Sequence, residues 1–215
     1  MKRRILLIAL VLIFLAPLAF AEGYWGARIG INAGTFLGDD AAASDFGWDE
    51  KGSRAGFVGG AFLDYRFNEF LGIRPELMFS GKGAKYDISD TTDVKFKLRT
   101  IEVPILLEFF LPIPTDALDV AVFAGPAPAL ILKAEYEGSD PSGDEEGDME
   151  DIGLETTDFD LGVAFGSAVS IPAGPGMVLI DFRYTLGVLS VIDVTPDLEI
   201  RTGTFGASVG YGFLF

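Results

Sequence analysis

The chain has 215 residues, of which 27 are Gly and 19 are Phe, and it contains neither Cys nor His. Its formal net charge is −16 at pH 7, so nucleic acid, whose phosphates would repel it, is excluded as a partner. The missing residue types exclude disulfides, a lipid-modified Cys, and imidazole as base, metal ligand or pH switch. The length allows one domain.

Residues 1–21 have the organisation of a secretory signal peptide. Three basic residues precede an apolar run from Ile5 to Leu18 and a small-x-small site that ends at Ala21. The alternative is a membrane anchor, but the run is short for a span and contains Pro17, which favours cleavage. We therefore expect a mature domain over residues 22–215, with a net charge of −19 because the leader carries three basic residues and no acid.

Apolar and polar residues then alternate with period two, which is typical of strands with two different faces. The alternation recurs in eight segments, although the fifth is nearly all apolar and alternates poorly. The segments are Trp25–Gly34, Gly56–Phe67, Leu71–Lys82, Thr100–Phe109, Leu118–Lys133, Asp158–Ser170, Val178–Gly187 and Phe205–Phe215.

The connections between these segments alternate between short and long. Tight turns at Asn68-Glu69, Pro112–Asp116 and Pro172–Gly176 separate longer connections at Leu37–Arg54, Ala84–Asp93, Glu135–Thr156 and Ile192–Leu198. This arrangement predicts an all-β fold: a closed eight-stranded antiparallel up-and-down transmembrane β-barrel. The short turns and both termini would face the periplasm, and the longer loops the cell exterior.

The two faces of the predicted strands decide which side of the barrel meets lipid. One face is apolar and aromatic, whereas the other carries Gly and charge. Charges at the core of a soluble, ligand-binding barrel would be too costly unless every one were paired. The charged face therefore lines a narrow, largely filled lumen, where we expect a structural polar network of five basic and six acidic residues: Arg28, Asp64, Arg66, Arg74, Glu76, Lys82, Glu102, Glu108, Asp160, Asp181 and Arg183.

Catalysis by this interior is the less favoured interpretation. Glu76 and Glu102 could do acid–base work, but in a packed eight-stranded lumen they more simply neutralise Arg residues. We therefore expect no enzyme activity, no catalytic residue and no cofactor. The same packing argues against an open pore.

Aromatic residues are predicted to form two belts at the membrane–water interfaces. The periplasmic belt would hold Trp25, Phe67, Phe109, Tyr211, Phe213 and Phe215, and the outer belt Phe36, Phe57, Phe79, Phe159, Tyr184 and Phe205. The final strand, with Tyr211, Phe213 and a terminal Phe215, resembles the assembly signal of outer-membrane barrels. That resemblance implies the barrel-assembly machinery as a partner.

The segment from Glu135 to Glu155 holds ten acidic residues and no basic one. We interpret it as a solvated, mobile loop. The alternative is weak divalent-cation binding, shared with lipopolysaccharide phosphates, at Asp144, Glu145, Glu146 and Asp148.

Four prolines within predicted strands, Pro75, Pro104, Pro126 and Pro128, remove donors from the hydrogen-bond ladder. We expect bulges or gaps in the ladder at these positions. A shift of the inward and outward faces is expected after Gly125.

Several segments resemble the PorT-like "porin family" of outer-membrane β-barrel proteins. They are Arg28–Gly34, Gly56–Gly60, Pro75–Ala84, Ile101–Leu107, Phe123–Pro126 and Asp181–Tyr184. The resemblance implies a place in the outer membrane of a Gram-negative cell envelope, among lipid and lipopolysaccharide. Most members have no assigned activity, and one branch is linked to protein secretion. A structural or interaction barrel and a transport or secretion component both remain open.

Overall fold

A computed structural model describes residues 23–37, 50–89, 92–115, 117–140, 143–149, 157–191 and 200–215. The predicted signal peptide lies outside these residues. The described part contains no helix that is long and apolar enough to span a membrane. It contains ten strands: β1 (Gly23–Leu37), β2 (Glu50–Arg66), β3 (Leu71–Ser89), β4 (Thr92–Glu102), β5 (Ile105–Phe110), β6 (Asp119–Asp140), β7 (Gly143–Asp148), β8 (Phe159–Ala173), β9 (Gly176–Gly187) and β10 (Arg201–Leu214).

The strands form one antiparallel sheet that closes on itself. The order around the sheet is β2-β1-β10-β9-β8-β6-β4-β3, and β2 also pairs with β3. The first and last strands meet in register from Tyr24 opposite Leu214 to Leu37 opposite Arg201. The predicted closed antiparallel barrel is therefore confirmed.

The described residues contain ten strands, not the expected eight, and two features account for the difference. First, β4 and β5 are separate strands that both pair with β3 and with β6. The chain between them, Val103-Pro104, leaves the ladder because Pro has no N–H to donate. The gap is still bridged, since the Pro104 carbonyl accepts from the Glu76 N–H at 2.9 Å and the Val103 N–H donates to the Pro128 carbonyl at 2.8 Å.

Second, β7 forms a hairpin with β6 and pairs with no other described strand. Much of the acidic segment expected to be a loop is therefore strand, and β3 and β4 likewise continue into the expected loop at Ala84–Asp93. Alternating charges replace alternating apolar residues here: Lys97 lies opposite Glu135 and Lys95 opposite Glu137. Opposite charges on neighbouring strands stabilise a sheet as apolar pairs do.

The expected shift of the inward and outward faces of β6 after Gly125 does not occur. Ala121, Phe123, Ala127 and Ala129 are all buried. The register shifts later, between Ile131 and Lys133. Pro126 and Pro128 are tolerated because residues 125–128 face the break between β5 and β4, where fewer ladder donors are required.

The outer face of the barrel is apolar and its inner face is charged. Ile31 and Ile29 on β1 are 71% and 60% exposed, whereas Arg28, which directly precedes Ile29, is 2% exposed. Phe57, Phe79, Phe159 and Phe205 of the predicted outer belt are also exposed. Phe36 was assigned to that belt wrongly: it shares the inward parity of Arg28 and packs against Phe96, with ring centroids 6.1 Å apart.

Two apolar clusters complete the packing of the interior, which the sequence predicts as Gly and charge alone. One packs among the charged residues and toward the short turns, and the other lies on the loop side of them. The turn-side cluster comprises Phe62, Leu106, Phe123, Ala127, Ala164, Ala168, Met177 and Leu179. The loop-side cluster comprises Phe36, Ala84, Tyr86, Phe96, Leu98, Met149, Val191 and Ile200. Small and charged residues alone would leave voids, so larger apolar side chains at inward positions complete the packing.

Candidate functional site in the barrel interior

Three strands bring the central charged residues together. Arg74 and Glu76 lie two residues apart on β3, as do Asp181 and Arg183 on β9, so each pair points to the same face of the sheet. Arg28 comes from β1. All five are buried, with exposures between 0% and 9%.

Glu76 is contacted by all three arginines. Its Oε2 lies 2.8 Å from Arg28 Nη2 and 2.8 Å from Arg183 Nη1. Its Oε1 accepts a hydrogen bond from Arg183 Nη2 at 3.0 Å and lies 3.2 Å from Arg74 Nε. Its carboxylate is therefore surrounded by fixed positive charge.

Asp181 is held by the same three guanidinium groups. Arg183 binds it through two parallel hydrogen bonds, Nε to Oδ1 at 2.8 Å and Nη2 to Oδ2 at 2.9 Å. Arg74 Nη2 donates to Oδ2 at 2.7 Å, and Arg28 Nη1 lies 3.3 Å from Oδ1. Such two-pronged contacts fix both distance and orientation.

A third carboxylate and one aromatic ring complete this network. Glu108 Oε1 lies 3.3 Å from Arg74 Nε, so three arginines face three carboxylates. The guanidinium carbons of Arg74 and Arg183 lie 4.8 Å and 5.3 Å from the Phe123 ring centroid, within the range of cation–π attraction. We call Arg28, Arg74, Arg183, Glu76, Asp181 and Glu108 the central network.

A second, smaller polar group lies toward the loop side. Lys82 Nζ is 3.0 Å from Glu102 Oε1, to which Thr100 also donates at 3.1 Å. Thr202 donates to Asp160 Oδ2 at 3.1 Å. These charges are buried and paired or hydrogen-bonded, as the low interior dielectric requires.

A cavity of about 20 Å³ separates the two groups, enough for roughly one water molecule. Its lining includes Arg28, Asn32, Ser80, Lys82, Glu102, Arg183, Thr204 and Ser208. Arg74 and Glu76 have no exposed surface. A water-filled passage through the central network would expose them, so the described interior is closed at that level.

Two of the predicted interior residues lie near the turn-side end. Asp64 is 5% exposed. The Arg66 side chain is 35% exposed, pairs with Asp119 at 3.0 Å and lies over the Phe110 ring at 3.9 Å. Of the eleven predicted interior residues, Arg66 is thus the one that reaches solvent.

The aromatic residues of the last strand contact the start of the barrel. Tyr211 donates its hydroxyl to the Ala173 carbonyl at 2.7 Å. The Phe213 ring lies 5.2 Å from Trp25 and the Phe215 ring 5.5 Å from Tyr65.

The four candidate metal ligands lie on β7. Glu146 is 3.7 Å from Lys97, and Asp148 is 3.8 Å from Lys133. The side chains of Asp144 and Glu145 lie outside the described residues. Within the described part of the chain, no three metal-binding side chains cluster.

Sequence reasoning missed the charged ladder on the outer surface of β4, β6 and β7. The signal was present in Lys95, Lys97 and Arg99, which alternate along β4 in the same way as apolar residues do below them. It also missed Phe123, because the apolar run of β6 hides which residues face inward.

Comparisons with known proteins agree with this architecture. A family model described as "Outer membrane protein beta-barrel domain" matches residues 21–193. No curated protein matches the chain. Among solved structures, outer membrane protein OprG from Pseudomonas aeruginosa is similar, with 9% identity, 91% of this chain and 96% of that chain covered, and a TM-score of 0.52.

Two further solved structures cover most of the chain. They are Ail of Yersinia pestis, with 17% identity, 89% and 99% coverage and a TM-score of 0.42, and Neisserial surface protein A, with 16% identity, 86% and 95% coverage and a TM-score of 0.47. At these identities the likeness concerns the fold alone.

Proposed function

The chain belongs to the outer membrane protein beta-barrel domain family, and from that premise we propose that it is a closed barrel with a structural or interaction role. Family membership implies location in the outer membrane. The apolar outer face meets lipid, and the charged strands beyond it form the exposed surface. The barrel does not conduct ions and carries out no catalysis.

The observation that carries this proposal is the absence of exposed surface on Arg74 and Glu76. These residues lie in the central network, which joins β1, β3, β5 and β9 across the lumen. The turn-side apolar cluster packs around it, and the loop-side cluster lies beyond it toward the loops. Opening a path would separate buried ions from their partners, which is strongly unfavourable.

The proposed partners follow from the two surfaces and the last strand. The apolar outer face contacts lipid and lipopolysaccharide. The last strand, with Phe213 and Phe215 exposed, is the segment that the barrel-assembly machinery would recognise.

The second candidate is a transport or protein-secretion component of the PorT-like kind. It comes from the resemblance of Pro75–Ala84 and Ile101–Leu107 to the PorT-like family, one branch of which is linked to protein secretion. Such a role does not require conduction if the barrel acts through a periplasmic partner. Recovery of a specific periplasmic protein with the intact barrel after crosslinking would favour this candidate over a purely structural one.

Conductance in planar lipid bilayers tests the closed barrel. We expect no steady channel from the purified, folded protein, with an open porin as the positive control. Arg66→Ala, which removes a charge outside the buried set, should leave the barrel equally silent. Steady, large conductance from the wild-type protein would refute the proposal.

A further inference from the structure

The charges on the outer surface of β4, β6 and β7 are sorted by their distance from the apolar band. Register places Arg99 opposite Lys133, then Lys97 opposite Glu135 and Lys95 opposite Glu137. On the next strand, Asp148 extends the second row and Glu146 the third. Across β4, β6 and β7, the described row nearest the apolar band thus contains two cations, whereas each row beyond it contains one cation and two acids. Lys85 of β3 lies opposite Lys95 and adds a second cation to the third row.

The cation row lies directly beyond the lipid-facing surface. Ile101 and Leu130 form the next row toward the membrane, and Leu132 between the rows is 55% exposed. Strands rise about 3.3 Å per residue, so Arg99 lies roughly 7 Å beyond Ile101. Phe159 of the predicted outer aromatic belt lies opposite Leu130, so the cation row lies just beyond this belt, where we expect polar headgroups to replace the hydrocarbon.

The charged groups of Arg99 and Lys133 are also accessible to a ligand. Like charges directly opposite each other destabilise a sheet. Here both approach one carboxylate: Lys133 Nζ is 2.7 Å from Glu135 Oε1, and Arg99 Nη2 is 3.1 Å from Glu135 Oε2. The carboxylate side chain is 7% exposed, but the two cations are 53% and 49% exposed.

One buried anion therefore orients two exposed cations. Lys133 Nζ also lies 3.8 Å from Asp148 Oδ1, but both of these side chains are about half exposed, so solvent screens this longer contact. The trio of Arg99, Lys133 and Glu135 therefore presents an excess of positive charge. The hydrogen bond from Lys133 holds the pKa of Glu135 below its usual range. The same hydrogen bond raises the pKa of Lys133. Glu135 and Lys133 are thus both charged at neutral pH.

We propose that Arg99 and Lys133 bind a phosphate group of an outer-leaflet lipid, with Glu135 positioning both. Phosphate presents several acceptor oxygens, which suit a guanidinium and an ammonium side by side. The acids farther out would repel the same group, so the sorting of charge selects a ligand at the membrane surface. The proposal rests on the outer-membrane location and not on a closed lumen.

The test uses the full-length mature protein in detergent, titrated with bisphosphorylated lipid A and followed by calorimetry and native mass spectrometry. Surface cations contribute about 1 kcal/mol each to binding anionic lipid, or about fivefold in affinity. The double variant R99Q/K133Q should therefore bind about 30-fold more weakly. Dephosphorylated lipid A should bind the wild type as weakly as the variant binds lipid A.

Lys95→Gln is the matched control. It removes the same charge from the same face of β4, about 13 Å from Arg99 along the strand. That separation exceeds the screening length of about 8 Å at physiological salt. Its affinity for lipid A should stay within about twofold of wild type.

Glu135→Gln should change the affinity for lipid A in the opposite direction. The proposal therefore stays testable if the double variant fails to fold. The Gln oxygen can still accept hydrogen bonds, but the negative charge is lost, which leaves Lys133 with the exposed Asp148 alone at 3.8 Å. The pair of cations is then less neutralised, so lipid A should bind more tightly. Equal affinity of wild type, R99Q/K133Q and E135Q would overturn the proposal. Equal binding of inorganic phosphate and lipid A would overturn its assignment to a lipid.

Conductance of the same proteins separates this proposal from the closed-barrel function. A conducting barrel that binds lipid A through its phosphates would refute the closed lumen alone. A silent barrel whose lipid binding ignores these substitutions would refute the phosphate site alone.

Discussion

Arg74 shows what a single residue contributes to this barrel. It has no exposed surface and lies within 3.3 Å of Glu76, Glu108 and Asp181. Its inward direction was predictable, because it shares the charged face of β3. Its partners were not, since Asp181 lies 107 residues away and meets it only when the sheet closes. The position of a residue in the alternating pattern predicts whether its side chain is buried. Its partners depend on the register of all the strands around the ring.

Substitution of Arg74 tests the energetic role of the central network. Arg74→Ala removes the contacts of this guanidinium with Glu76, Glu108 and Asp181, and breaking a buried pair costs about 3–5 kcal/mol. Arg66→Ala is the matched control: its pair with Asp119 is partly exposed, so its loss should cost about 1 kcal/mol or less. Urea unfolding in detergent would measure both, and equal midpoints for the two variants would contradict a structural network.

At the scale of elements, β6 combines three environments in 22 residues. Along one edge it pairs with β5 and then with β4, and along the other edge with β8 and then with β7. The apolar run predicts its first part, up to Lys133, as a strand. The part from Glu135 onward is predicted as a loop but is also strand. A run of acids looks solvated in isolation, and only the cations of β4 show that it can be a strand. Local sequence cannot supply that information because the compensating charges lie on another strand.

Two glycines of β6 differ in the space around them, and they test how tightly β6 packs against β5. A Cβ on Gly125 would lie 1.9 Å from the Ile105 carbonyl oxygen, whereas a Cβ on Gly138 would meet nothing within 4 Å. Gly125→Ala must therefore push β5 and β6 apart, at a cost of about 1–3 kcal/mol.

Gly138→Ala is the control from the same strand. It should be neutral or slightly stabilising, because Ala restricts the unfolded chain more than Gly does. Detergent unfolding compares the two variants. If Gly125→Ala is as stable as Gly138→Ala, the close approach of β5 and β6 does not constrain the barrel.

At the scale of the whole molecule, the apolar face of the strands lies outside the barrel and the charged face inside, and this indicates a membrane barrel. Apolar residues such as Ile29 and Ile31 face outward while Arg28 is buried, which reverses the arrangement of a soluble barrel. This reversal was predictable because the cost of burying ions differs so strongly from that of exposing apolar groups to lipid. The layering of the interior was not predictable, since inward Phe62 and Phe123 follow the same parity as the charges.

The same reversal predicts how the intact protein behaves during fractionation and electrophoresis. With its apolar face in lipid and its ladders closed, the mature protein should sediment with the outer membrane of a Gram-negative host. It should resist unfolding by dodecyl sulfate at room temperature and migrate faster unheated than boiled. The mass of the membrane-bound form should correspond to residues 22–215 if the leader is cleaved.

A matched sample of the same protein, refolded without lipid or detergent, provides the control for this mobility shift. That sample should aggregate, because the exposed apolar face would have no lipid to cover it. A purely soluble periplasmic fraction, or identical mobility before and after boiling, would contradict a lipid-embedded closed barrel. Apart from β7, each described strand is paired on both sides, so unfolding of the closed ring must break ladders at two edges at once, which is why heat is required.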